Sequence, residues 1–304
     1  MNRQPERREI TVQGIRLSYL EWGSADPCRP SLVVLHGLLA AAETFDRLVD
    51  GLDSHLHIVA LDLPANGHSE RSPTLDTTTA GLAGMILQFI TLLGLDRPLL
   101  LGHSHGGLLA LRLVATSPSE VRGLILIAPA HPFGGYRENV VRYYLSPFGS
   151  TAARLLFPYI PGWLYLYFFR QMPGTRDHFD REVLEPYLHS LRMPGTVPYT
   201  LQVLHSWHDD MDCLRADLEQ APLRLPMLVL WGERDLVVPS STATALLQHL
   251  PGAQFVSLPT SGHLPNEEAP AECAMRIQTW LDEHFVNDSS APAVVSVAAA
   301  GAIP

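Results

Sequence analysis

One serine sits where a serine can be made nucleophilic. Gly102-His103-Ser104-His105-Gly106 follows the apolar run PLLLG (Pro98–Gly102) and precedes the helix-like LLALRLVA. A serine between strand and helix needs a tight, strained turn, and small flanking residues supply the clearance. The turn lifts Oγ above the sheet and leaves it at a helix N-terminus. The plainer alternative is an N-cap serine. A serine hydroxyl also needs a base within hydrogen-bond reach, and the base needs an orienting acid. Of 14 histidines, His263 in TSGHLPNEEAP lies just after the last strand pattern and before the last helix. That is the same carboxyl edge of a sheet where Ser104 would lie. Asp235 in WGERDLVVP follows another strand pattern, with Glu233 as the competing acid. Asp235 is deeper in its loop, next to the Leu-Val-Val that would pack it down. The reading is therefore Ser104 as nucleophile, His263 as base and Asp235 as orienting acid. His103 and His105, adjacent to the serine, are expected to point away from Oγ, and His105 could face the substrate.

The elements that must hold these residues alternate. Ile10–Gln13 and Ile15–Glu21 read as an antiparallel pair around Gly14. SLVVLH (Ser31–His36), HIVALDLP (His57–Pro64), PLLLG, VRGLILIAP (Val121–Pro129), PMLVLWG (Pro226–Gly232) and AQFVSLP (Ala253–Pro259) read as strands. Helical patterns fall at Glu43–Leu52, Thr77–Leu93, Ser104–Thr116, Thr242–Leu250 and about Ala269–Phe285. Between about residues 130 and 220 the rhythm stops, and the chain reads as short helices with irregular links. The prediction is an α/β fold: a mostly parallel sheet with helices on both faces, and a helical cap inserted after the strand ending near Ala128. The core would be residues 1–129 and 221–286, the cap 130–220, and 287–304 a flexible tail.

Composition narrows the chemistry. The chain has 304 residues, is 46% hydrophobic and carries a formal charge of −10, which disfavours nucleic-acid binding. All 21 basic residues are arginine, so a lysine Schiff base, a phosphate-loop lysine and a Ser-Lys dyad are excluded. Cys28, Cys213 and Cys273 are scattered and odd in number, which argues against a zinc site or disulfide framework and for a reducing, cytoplasmic compartment. MNRQPERREI has no apolar signal core, and the greasiest run, Leu155–Phe169, is short and broken by Pro158 and Pro161. Twelve of 24 aromatic residues fall between Phe133 and Phe169, beside three arginines and one acid. They suit an apolar pocket roof, or a lipid-touching surface using Trp163, Tyr165, Tyr167 and Phe168 with Arg170.

The chain resembles serine-nucleophile α/β-hydrolase-fold enzymes from about Ile10 to Phe285. The resemblance rests on LHGLL (Leu35–Leu39), DLPANGHSE (Asp62–Glu70), GHSHGG (Gly102–Gly107), WGERDLVVP (Trp231–Pro239) and SGHLPNEE (Ser261–Glu268). The order Ser, Asp, His is also that of the family. Two departures are Ala65-Asn66, where glycine is common, and His105, where a hydrophobic residue is commoner. The resemblance implies an oxyanion hole from the backbone N–H groups of Leu38 and His105, with His36 bracing its loop. It implies a hydrolase of small, largely apolar carboxylic esters, working through an acyl-enzyme with no cofactor and no metal. Carbon–carbon hydrolysis of diketones, with Arg137 or Arg142 as anchors, lactone or thioester hydrolysis, perhydrolysis, and a non-catalytic ligand receptor remain open alternatives. A serine nucleophile argues against dehalogenase and epoxide hydrolase chemistry, which uses a carboxylate.

Overall fold

The computed structural model describes residues 4–26, 29–134, 138–170 and 181–286, and the side chains of residues 138–140, 168, 169 and 286 lie outside that description. Cys28, Arg137 and the expected tail at 287–304 also fall outside it.

The apolar runs become one eight-stranded sheet. Its strands are β1 (Glu6–Val12), β2 (Ile15–Trp22), β3 (Leu32–Leu35), β4 (Ile58–Leu61), β5 (Leu99–His103), β6 (Gly123–Ile127), β7 (Met227–Gly232) and β8 (Gln254–Leu258). They lie in the order β1-β2-β4-β3-β5-β6-β7-β8. β2 pairs antiparallel with β1 and β4, and all later neighbours are parallel. The central strands β3 to β7 are buried at every position because both sheet faces are covered. Val33, Leu35, Leu100, Leu124 and Leu126 join the core on one face. Leu32, Val34, Leu99, Leu101, Ile125 and Ile127 join the core on the other.

Helices α1 (Asp46–Val49) and α11 (Pro270–Leu281) seal the second face, with Leu48, Val49, Ile277 and Trp280 buried there. Helices α2 (Thr79–Leu92) and α3 (His105–Thr116) seal the first. α2 starts where Thr78 Oγ1 accepts the Gly81 N–H, an N-cap that satisfies one orphan donor. Between β6 and β7 the chain forms α4 (Glu138–Leu145), α5 (Pro147–Leu156), α6 (Gly162–Phe169), α7 (Arg181–Arg192) and α8 (Thr196–Gln220). α9 (Ala243–Leu247) and α10 (Pro265–Glu268) are short connectors.

Three local expectations need correction. α8 is a single 25-residue helix, not one of several short ones. Its stripe Val203, Trp207, Met211, Leu214, Leu218 packs on the sheet-side core, while Val197 and Leu201 join a separate cluster with Ala153 and Leu191. The Glu43–Leu52 helix is instead a 3₁₀ turn, Ala42–Phe45, running into α1. The Thr242–Leu250 helix is likewise a 3₁₀ turn followed by the five-residue α9. No helix among the described residues is long and apolar enough to cross a membrane.

Candidate active site

Parallel strands end at one edge of the sheet, and the loops leaving that edge carry every residue singled out for nucleophilic chemistry. Ser104 separates β5 from α3 at φ 51° and ψ −116°, a conformation unfavourable for a residue with a Cβ. Surrounding structure holds the strain. The Ser104 N–H donates to the Ile127 carbonyl at 3.1 Å, and its own carbonyl accepts from Leu108 and Ala130 at 3.1 and 3.0 Å. The flanking glycines are required by space. A Cβ on Gly102 would lie 2.5 Å from the Gly106 carbonyl oxygen, and one on Gly106 would lie 2.2 Å from that of Leu35.

Ser104 Oγ lies 3.0 Å from His263 Nε2. On the far side of the ring, His263 Nδ1 lies 2.8 Å from Asp235 Oδ2. The second carboxylate oxygen of Asp235 accepts the N–H groups of Val237 and Val238 at 2.8 and 2.9 Å. Those two bonds leave Asp235 one oxygen to direct at the imidazole, so it must take the Nδ1 proton as acceptor and leave Nε2 free to accept from serine. Glu233, the competing acid, instead accepts from Ser257 Oγ at 2.8 Å on the exposed side of β8.

The loop after β3 lies against the serine. A Cβ on Gly37 would lie 3.3 Å from that of Ser104. His36 is fully buried, and burial lowers its pKa from 6.5. Its Nε2 accepts the Leu63 N–H at 2.9 Å, so the proton sits on Nδ1, which donates to the Gly37 carbonyl at 2.7 Å. That carbonyl belongs to the same peptide plane as the Leu38 N–H. Fixing one end fixes the direction of the other. His105 is the first residue of α3, so its N–H has no acceptor within the helix.

The two other histidines of the elbow are buried, and burial pushes each pKa down to about 3. His103 Nε2 donates to the His263 backbone carbonyl at 2.8 Å, tying the elbow to the base loop. His105 packs against Trp207 of α8, with ring centroids 6.3 Å apart, and its Nε2 has no hydrogen-bond partner among the described residues.

Sequence reasoning assigned no role to Glu268. Its buried carboxylate accepts the Gly262 N–H at 2.8 Å and the Leu264 N–H at 3.0 Å, so it grips the loop on both sides of His263. The available signal was a carboxylate five residues after the histidine, at a position where burial demands partners. Asn266 was also missed; its Nδ2 donates to the Thr44 carbonyl at 3.0 Å. Asp62 accepts from Ala42, His68 and Arg7 and is completely buried. Ala65, where glycine is common in similar chains, does adopt φ 60°. Its N–H and carbonyl are held by Glu70 and Thr196.

The chain belongs to the alpha/beta hydrolase fold family, whose model matches residues 30–270. It is 28% identical over 281 residues to YugF of Bacillus subtilis, described as an uncharacterized hydrolase, covering 90% of this chain and 97% of that protein. It is 28% identical over 246 residues to the pimeloyl-[acyl-carrier protein] methyl ester esterase of Nitrosomonas europaea, covering 78% and 89%. The haloalkane dehalogenase DbeA of Bradyrhizobium elkani superposes with a TM-score of 0.75 at 18% identity, over 93% of this chain and 100% of that one. That likeness is one of fold. The protein is thus a member of a hydrolase superfamily.

Proposed function

We propose that the protein is a serine hydrolase cleaving small, largely apolar carboxylic esters through an acyl-enzyme. The observation that carries the reading is the unbroken chain Ser104 Oγ, His263 and Asp235, with contacts of 3.0 and 2.8 Å, at a strained strand-to-helix turn. His263 Nε2 takes the serine proton as Oγ attacks the ester carbonyl. The imidazolium that forms faces Asp235. Negative charge on the carbonyl oxygen meets the N–H groups of Leu38 and His105, each worth ~10²–10³ in rate for donors of this kind. His263 protonates the departing alcohol, then deprotonates water for attack on the acyl-enzyme; the acyl–Oγ bond breaks, His263 returns the proton to Ser104 Oγ, and the acid is released.

The β6–β7 insertion is read as a cap, residues 130–220, over a core of residues 1–129 and 221–286. Supporting this are its contacts with the site loops. Leu39, next to Leu38, packs on the Ala153–Leu191–Val197–Leu201 cluster. Leu264, next to His263, packs with Val183 of α7 and Leu166 of α6. Tyr187 of α7 donates to Glu267 at 3.4 Å. Helices seated on these loops restrict access to small molecules and lower the local dielectric around the developing charge.

The test is hydrolysis of a chromogenic ester series, short to long acyl chains, by wild type and Ser104→Ala together. The reading predicts turnover by wild type that disappears in Ser104→Ala, with an optimum chain length set by the cap. Folded wild type that turns over none of the esters contradicts it.

A further inference from the structure

The aromatic-rich segment was a candidate for either a pocket roof or a lipid-touching surface, and its residues divide between the two. Tyr165 turns inward: it packs on the Ala153–Leu191–Val197–Leu201 cluster, and burial pushes its phenol up to about 12. Removing it from the surface leaves a coherent outward set. Tyr143, Phe148, Leu155, Leu156, Tyr159, Trp163 and Tyr167 are all exposed, and they make up seven of the twelve exposed large apolar side chains among the described residues. Tyr159 is 81% exposed, Phe148 75% and Trp163 72%. Phe148 and Leu155 lie seven apart on one face of α5, Tyr159 ends the 3₁₀ turn that follows, and Trp163 and Tyr167 lie four apart on one face of α6. Soluble surfaces scatter such residues singly, and a concentration within 25 residues marks a surface that meets something apolar.

Charge selects the partner. Residues 139–170 contain Arg142, Arg154 and Arg170 and no acid, within a chain whose overall charge is −10. All three arginines are exposed. An acidic protein that gathers cations among exposed tryptophan, tyrosine and leucine presents the composition of an interfacial surface. Apolar side chains enter the acyl boundary, Trp and Tyr sit at headgroup level, and arginines meet anionic phosphates. A second copy of the chain would bring like charge against like charge here. We infer that the outer face of α5 and α6, with the 3₁₀ turn between them, docks on an anionic phospholipid bilayer surface without crossing it. This inference does not depend on the catalytic reading, since it concerns a surface and not the serine.

The experiment is co-sedimentation of the full chain with phosphatidylglycerol-containing vesicles and with pure phosphatidylcholine vesicles, at low and high salt. Four proteins are compared: wild type, Ser104→Ala, the double variant Tyr159→Ala/Trp163→Ala, and Phe255→Ala as a distant exposed-apolar control. The inference predicts that wild type, Ser104→Ala and Phe255→Ala pellet with the anionic vesicles, and less so in high salt. The double variant should partition at least about fivefold more weakly, because interfacial binding scales with the apolar area inserted. Its circular dichroism and its hydrolysis of a freely dissolved short ester should match wild type, which excludes misfolding. Any of these results overturns the inference: folded wild type that pellets with neither vesicle, a double variant that binds as wild type does, or vesicle binding that appears only after residues 287–304 are deleted. Light scattering that shows a wild-type dimer dispersed by the double substitution, without vesicle binding, would instead assign the patch to a second copy and also overturn it.

Discussion

Ser104 and His263 come from loops 159 positions apart, yet Oγ and Nε2 meet at 3.0 Å. That distance depends on groups packed behind the pair. Asp235 orients the ring from below, while Glu268 grips the two peptides flanking His263 and His103 holds its carbonyl. Glu268 accepts two backbone N–H bonds as a carboxylate, whereas glutamine offers one acceptor oxygen and sets an N–H against an N–H. Glu268→Gln is therefore expected to lower kcat about ten- to a hundredfold, since small displacements of a reacting group cost that much. KM should stay within about twofold, because no substrate contact changes. Steady-state kinetics well below the unfolding temperature check this; a kcat equal to wild type would reduce Glu268 to a structural residue. The convergence of Ser104, His263 and Asp235 was legible in sequence because each sits in a short motif at the end of a strand pattern. Glu268 was not, because its role appears only once two peptide N–H groups are seen to converge on it.

The strand-to-helix turn exists only because two glycines let backbone approach backbone. A methyl at Gly106 would meet the Leu35 carbonyl oxygen at 2.2 Å, so β3 and α3 could not keep their spacing. Gly106→Ala should destabilise the fold by ~1–3 kcal/mol and remove most ester turnover. Gly84→Ala provides the contrast. It is an exposed position on α2 with nothing within 4 Å, and the change should stabilise by ~0.5–1 kcal/mol. Urea unfolding of the pair measures both, and equal effects would contradict the account. Strands were the most readable elements, since burial on both faces leaves them continuously apolar. α8 was the least readable. Pro198 stands in its first turn, and Asp210 interrupts its buried stripe in order to accept the Thr79 N–H and hydroxyl at the start of α2. Its N-terminal residues also serve a different cluster from the rest, so no single periodicity runs through it.

Across the whole molecule, burial sets opposing pH limits. His103 and His105 are pushed from 6.5 to about 3, His131 to about 4, and His36 is also lowered, each chiefly by desolvation. The unfolded chain takes up these protons below about 6.5 and the folded chain does not. Their contribution to stability is therefore complete above 6.5 and lost as pH falls from there toward 3. Asp46 acts in reverse. Burial, then Glu43 and Asp50, raise it from 3.8 to about 7, so its contribution is complete below 3.8 and lost as pH rises through 7. Urea midpoints across pH should show His105→Leu flattening the acid limb and Asp46→Asn raising stability above pH 7. Limbs unchanged in both variants would contradict the burial argument.

Whether Ser104 is the nucleophile is decided by mass spectrometry after reaction with an alkyl fluorophosphonate. The account predicts one phosphonyl group per chain, carried on the peptide containing Ser104, with ester hydrolysis lost in step with labelling and no adduct on Ser104→Ala. Labelling at another residue, or full ester turnover by a chain stoichiometrically modified at Ser104, would contradict it.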